Sequence, residues 1–198
     1  MSTKRQISRD DILPMDEYAR VRQERRRQVM TLKRERRVEV GPLATFYFES
    51  YDTMWAQIHE MLWIEKGGEQ QIADELAAYN PLIPQGSELV ATLMFEIEDE
   101  RRRKMLLSQL GGVERTVTLE VGGSTVNAVP EEEEGIERTT EAGKTSSVHF
   151  LRFPFTPEAI EAFREESPPA VLGIGHENYA HMAVIPKPVR KALLADFD

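Results

Sequence analysis

Between Glu88 and Ile97 the chain carries a run that leaves few choices of fold. Leu89, Ala91, Leu93, Phe95 and Ile97 alternate with Glu88, Val90, Thr92, Met94 and Glu96. A strand here is largely apolar on both faces, which places it at the centre of a sheet and not at an edge. Other strands gather around it. Val38–Phe48 reads as a strand broken at Gly41-Pro42, with Phe46 and Phe48 on one face and Tyr47 on the other. Val117, Leu119 and Val121 alternate with polar residues and run into Gly122-Gly123, a hairpin signal with its return strand at Ser124–Val129. From Ser147, His149, Leu151, Phe153 and Phe155 share one face, with Val148, Phe150 and Arg152 on the other. Val171–Ile174 and Tyr179–Ile185 form a last pair around the tip at Gly175–Asn178.

Helical patterns interrupt these strands at irregular intervals. Asp16 is placed to cap a helix running to about Arg36. Asp99 opens a helix that Gly111-Gly112 ends, and Thr156-Pro157 opens another. Pro186 starts the last, in which Val189, Leu193 and Phe197 share a face. The expected fold is α+β: a mostly antiparallel sheet with hairpins, packed against several helices, plus a basic N-terminal helix. At 198 residues the chain fits one domain, 1–198, with a basic arm and helix over 1–37 and a mobile acidic loop over 131–145.

The segment Phe46–Pro84 carries two short helices broken at Gly67-Gly68. In the first, Met54, Trp55, Ile58, Met61 and Leu62 recur at spacings of three and four. At about 100° per residue, Glu65 falls near the middle of that apolar face and Trp63 falls off it. A buried carboxylate needs a partner, and Arg152 or an arginine of the N-terminal helix is the expected one. Two roles stand open for Glu65, a structural ion pair and a catalytic acid.

Composition removes several function classes. There is no cysteine, so disulfides, thiolate catalysis and cysteine-held zinc or iron–sulfur clusters are excluded. No apolar run reaches the roughly 18 residues needed to span a bilayer. The first residues lack a secretory pattern, so the expected setting is the cytoplasm, without membrane association. Through Arg37 there are twelve Lys and Arg against six Asp and Glu; beyond it, thirteen against twenty-eight. A basic arm on an acidic body predicts self-association, as a homodimer, more readily than nucleic-acid binding. Tyr18, Val21, Arg25, Val29 and Leu32 make a thin stripe on the N-terminal helix, and no nucleic-acid motif accompanies its arginines.

Three of the four histidines, His149, His176 and His181, lie in the last third of the chain. Strand alternation puts Tyr179 and His181 on one face, with His176 at the hairpin tip. If these imidazoles meet, Glu65, Glu60 or His59 would complete a set suited to zinc or non-haem ferrous iron. His176-Glu177-Asn178-Tyr179-Ala180-His181 is not the zincin motif, because its histidines are five apart where the zincin helix needs four. Gly173-Ile174-Gly175 lacks the third glycine of a dinucleotide loop, and no phosphate-binding loop, serine elbow or kinase signature occurs.

Several strings carry a family resemblance. SRDDILPMDEY (Ser8–Tyr18), RRVEVGP (Arg36–Pro42), QIHEMLWIE (Gln57–Glu65), YNPLIP (Tyr79–Pro84), ATLMFE (Ala91–Glu96) and GHENYAH (Gly175–His181) resemble a bacterial domain-of-unknown-function family, number 3501. The likeness covers nearly the whole chain. It implies an accessory role near peroxide defence or iron-redox chemistry, beside a rubrerythrin-like di-iron protein or an iron–sulfur oxidoreductase. The alternative is a metal-binding protein or metal-dependent enzyme using the His/Glu set, with iron or zinc.

Overall fold

The strand at the centre of the sequence is also at the centre of the molecule. In this computed structural model, which describes residues 4–131, 139, 144–165 and 167–197, β1 (Arg37–Val40), β2 (Ala44–Phe48), β3 (Glu88–Phe95), β7 (Val148–Pro154) and β6 (Val129–Pro130) lie side by side in that order. All four pairings are antiparallel. A second antiparallel sheet holds β5 (Ser124–Asn127), β4 (Val117–Val121), β8 (Val171–His176) and β9 (Tyr179–Val184), again in that order. The return strand expected over Ser124–Val129 is split. Ser124–Asn127 pairs with β4, whereas Val129 and Pro130 pair with Arg152 and Leu151 of the first sheet.

Three layers result. Phe46, Leu93 and Phe153 of the first sheet meet Leu119, Leu172 and Ile174 of the second in one core. Phe163 of α5 (Pro157–Arg164), Leu193 of α6 (Lys187–Leu193) and Phe197 join the same core. On its other face the first sheet presents Val90 to Met54, Ile58 and Leu62 of α2 (Tyr51–Glu65), with Ile7, Ile12, Leu82 and Ile83 completing that cluster. A fully buried Leu, Val or Phe contributes about 1.5–3 kcal/mol. Both faces of β3 are spent this way, which is why its sequence is largely apolar, with Glu88 and Thr92 the polar exceptions.

Local chemistry sets most element ends. Ser50 accepts from the amide of Thr53 at the start of α2, Asp99 accepts from Arg102 at the start of α4 (Glu100–Leu107), and Thr156 accepts from Ala159 before α5. Gly122 and Gly123 both have positive φ, 58° and 83°, as a two-residue hairpin turn requires. One start differs from expectation. α1 (Met15–Arg34) begins after Pro14, so Asp16 lies inside its first turn and caps nothing. The proline already holds the extended entry, and Asp16 and Glu17 there complement the helix dipole. Most of the acidic loop expected over 131–145 lies outside the described residues.

Where α1 gives way to β1, Arg36 is wholly buried, at 0% exposure. Its Nε donates to Phe48 O at 2.9 Å, Nη1 to Ala192 O at 3.3 Å and Nη2 to Glu49 O at 2.8 Å. Nη2 also forms an ion pair with Asp196 near the C-terminus. Burial pushes the Asp196 carboxyl up to about 6, against the pull of a guanidinium whose charge is shared with three carbonyls. Arg36→Ala strands this carboxylate and three carbonyl groups, so it should cost about 3–5 kcal/mol. Guanidinium unfolding curves check this, with exposed Arg27→Ala expected within about 0.5 kcal/mol of wild type.

Candidate functional site

Two regions gather polar groups with concave or charged surroundings: the junction of α1 with α2, and a cleft where the helical layer meets the first sheet. α2 has two working faces. Met54, Ile58 and Leu62 face the sheet, while Trp55, His59 and Trp63, four residues apart, face α1. Tyr18 of α1, fully buried, meets all three: its ring centroid is 6.0 Å from Trp55, 4.8 Å from His59 and 6.5 Å from Trp63. The position of Trp63 off the core stripe thus reflects a second interface. Arg22 lies over Trp63 and Arg25 over Trp55, at 5.3 and 5.2 Å.

The acidic residue serving this junction is Glu60. It takes a bidentate pair from Arg22, Nε to Oε1 at 2.8 Å and Nη2 to Oε2 at 2.7 Å, together with the hydroxyl of Tyr18 at 2.8 Å. These donors hold its carboxyl below the usual range, the Arg22 bond foremost. Glu65 departs from expectation: it is exposed, and its carboxylate accepts from Gln71 Nε2 at 3.0 Å. On helical phase it lies in line with Ile58 and Leu62, but the last residue of α2 buried against the cluster is Leu62, and the helix ends at Lys66, which has φ 56°. Arg152 does not meet Glu65 either. It pairs with Glu88, bonds Glu131 at 2.7 Å and donates to Pro81 O at 2.6 Å, tying β7 to the segment before β3.

The histidines occupy separate roles. His59 is buried between Tyr18 and Trp55, with Nδ1 against Trp55 O at 2.7 Å and Nε2 accepting from Leu13 N at 3.0 Å. Burial pulls its pKa below 6.5. His149, buried in the core between the sheets, approaches Thr145 and Ser146 O at 3.1 and 3.0 Å, with Glu114 3.9 Å away. His176 approaches Gly111 O at 3.2 Å and accepts from Asn178 N at the same distance. His181 stacks edge-on against Tyr179 at 4.5 Å. The hydroxyl of Tyr179 donates to Val40 O and accepts from Leu43 N and Ala44 N, bracing the β1–β2 turn against the second sheet. Gly41 in that turn, at φ 69°, has no room for a Cβ, which would come within 2.6 Å of the His181 ring. Among the described residues no three His, Asp or Glu side chains are grouped as a metal ion needs.

The cleft was not foreseen from the sequence. It has a volume of about 250 Å³ and lies between the end of α1, the face of α2, Tyr79 at the end of α3 (Gly68–Tyr79), and the outer face of β2, β3 and β7. Its floor holds Glu49, only 5% exposed. Each carboxylate oxygen accepts one threonine hydroxyl: Oε2 from Thr53 at 2.7 Å and Oε1 from Thr92 at 2.6 Å. Tyr47, Tyr79 and Phe150 form walls, and Lys33 stands on the lining as well. The one available signal was strand parity, since Glu49 continues the Thr45–Tyr47 face beyond β2.

An antiparallel α+β protein of two stacked sheets with one helical layer is the class these observations define. The chain belongs to the family described as Protein of unknown function (DUF3501), which matches residues 6–197. It is similar to a crystal structure of a protein of unknown function from Burkholderia pseudomallei, at 38% identity and a TM-score of 0.87. That likeness covers 97% of this chain and 99% of the other. No curated protein matches it.

Two expectations follow. Glu65→Ala and Glu69→Ala remove exposed carboxylates, the first bonded to Gln71 and the second to Arg9. Their denaturant melts should nearly superimpose with each other and with wild type. His59 binds its proton less readily folded than unfolded, so its contribution to stability is complete above pH 6.5 and is lost as pH falls below that value. Ring NMR should show His59 titrating below 6.5, with folding stability declining over the same range; a normal midpoint would contradict the burial argument.

Proposed function

We propose that the protein is a non-catalytic accessory component that docks on an acidic partner protein through α1. The observation that carries this reading is how little of α1 the fold itself uses. Of its twenty residues only Tyr18 is buried. Seven are Lys or Arg against three acidic residues. Val21 and Met30 sit exposed among them, Met30 at 58%. Arg26 and Arg34 are exposed and form no ion pair among the described residues. A helix that is basic, partly apolar and uncovered is suited to an acidic protein surface, where charge steers the encounter and the apolar residues hold it.

The partners to test first are those the family resemblance implies, a rubrerythrin-like di-iron protein and an iron–sulfur oxidoreductase, in a cytoplasmic role close to peroxide defence or iron-redox chemistry. The acidic body of a second copy offers α1 a comparable surface, which supports a homodimer. No helix among the described residues is long and apolar enough to cross a membrane.

Trp55 and Trp63 lie under Arg25 and Arg22, so tryptophan fluorescence should report occupation of α1. Titration with either purified redox protein should give saturable binding that weakens with salt. Arg26→Glu combined with Arg34→Glu should weaken it by about tenfold or more, the equivalent of one charge-assisted contact. Light scattering at low and high salt reads the dimer in parallel. Absence of binding to both proteins, with a monomer at every ionic strength, would remove this reading.

A further inference from the structure

The cleft between the helical layer and the first sheet holds two opposite charges that do not neutralise each other. Glu49 lies on the floor, buried, and its carboxylate accepts from the hydroxyls of Thr53 and Thr92, which donate without supplying a charge. Lys33, in the last turn of α1, is half-buried on the lining of the same cavity and forms no ion pair among the described residues. A buried carboxylate without a cation is costly, and such groups are ordinarily paired or neutralised. The fold keeps Glu49 in place by other means, because its backbone carbonyl is held by Arg36 and its side chain by Thr53 and Thr92. Each carboxylate oxygen therefore retains acceptor capacity after its one threonine bond.

We propose that this cleft binds a small zwitterion, an α-amino acid with an apolar side chain, its ammonium group on Glu49 and its carboxylate on Lys33. The rest of the lining agrees in chemistry. Tyr47, Tyr79 and Phe150 surround the cavity with aromatic faces, which attract an ammonium group and also pack an apolar side chain. The hydroxyl of Tyr47 is engaged with Glu96 at 2.8 Å and Arg37 lies over its ring at 5.7 Å, so Tyr47 serves the cavity as an apolar wall and not as a polar contact. At about 250 Å³ the cavity falls just under the roughly 300–1,000 Å³ of drug-sized sites, which selects a ligand of few heavy atoms. This site is separate from the outer face of α1 that carries the docking proposal, so either can fail alone.

The test is isothermal titration of the full chain with L-leucine, L-methionine and L-phenylalanine. Isoamylamine serves as the ligand without a carboxylate, and isovalerate as the ligand without an ammonium group. At least one amino acid should bind saturably at micromolar to millimolar concentration, the amine more weakly and the acid not at all. Lys33 is half-buried in the last turn of α1 and forms no ion pair among the described residues, so Lys33→Met should fold normally. It should weaken amino-acid binding by about tenfold or more while leaving the amine unchanged, the loss expected of one charge-assisted bond. Glu49→Gln should abolish both, and the retained circular dichroism of each variant separates lost binding from lost fold. Binding of the amine equal to the amino acid, or an amino-acid affinity indifferent to Lys33→Met, would overturn the zwitterion assignment. No saturable binding by any of the three amino acids would overturn the site.

Discussion

A guanidinium sealed from water has to find its compensation inside the protein, and Arg36 finds it in three distant parts of the chain. Its bonds reach Phe48 and Glu49 at the end of β2, Ala192 in α6, and Asp196 beyond it. One side chain therefore fastens the junction of α1 and β1 to the C-terminus. The last turns also close on the core through the apolar Val189, Leu193 and Phe197 and through buried Arg190, which donates to Ala162 O, Phe163 O and Pro168 O; Arg36 ties them to the junction of α1 and β1. Apolar burial is non-directional, whereas a planar fork of donors meets its acceptors in one arrangement. The energetic value of a buried ion pair over an apolar substitute is small. What it supplies here is the choice of which surfaces meet.

The rest of the architecture follows from a sheet used on both sides. Because the first sheet presents one face to the second sheet and, at β3 and β7, the other to helices, both must be closed by elements from far along the chain. The second sheet closes one face, with α5 and α6 as its margin. The other is closed by α2 and by the N-terminal lead-in, where Ile7 and Ile12 are buried and Asn80 bonds both the amide and the carbonyl of Ile7 at 2.8 and 2.9 Å. α1 then rides on α2, one layer further out, which leaves most of its surface unused. Its exposure is a consequence of where the layers end.

Much of this was legible in the sequence, for a physical reason. Period-two and period-3.6 patterns report the direction of a side chain, so the two-faced β3, the glycine hairpin and the shared face of Val189 and Leu193 could be read directly, whereas Phe197, expected on the same helix, joins that core from an extended residue past the helix end. Direction says nothing about how far the opposing surface extends. Glu65 is in phase with the buried stripe of α2, yet among the described residues that stripe has no partner past Leu62. Patterns of apolar residues also pass over buried charge. Arg36 stands in phase with Val38 and Val40, an inward position on β1, but an arginine beside another arginine reads as surface. Nor does alternation reveal a change of sheet, and the passage from β5 to β6 across Ala128 hid the division into two.

The buried cation and the cleft turn out to be one construction. Glu49 has its backbone carbonyl on Arg36 and its carboxylate on the opposite side of the strand, against Thr53 and Thr92. The same arginine that holds the C-terminus also sets the position from which Glu49 faces the cavity. Ser50, the next residue, caps α2, and Met54 and Gln57 of that helix stand on the cavity wall. A shift at Arg36 would therefore move the floor and one wall together, and through the bond of its own amide to Lys33 O at 3.3 Å it would reach Lys33 as well. Residues held within a few tenths of an ångström by several independent bonds are what a preorganised site requires. In this protein the bonds that give Glu49 that rigidity are the ones that decide how the chain closes.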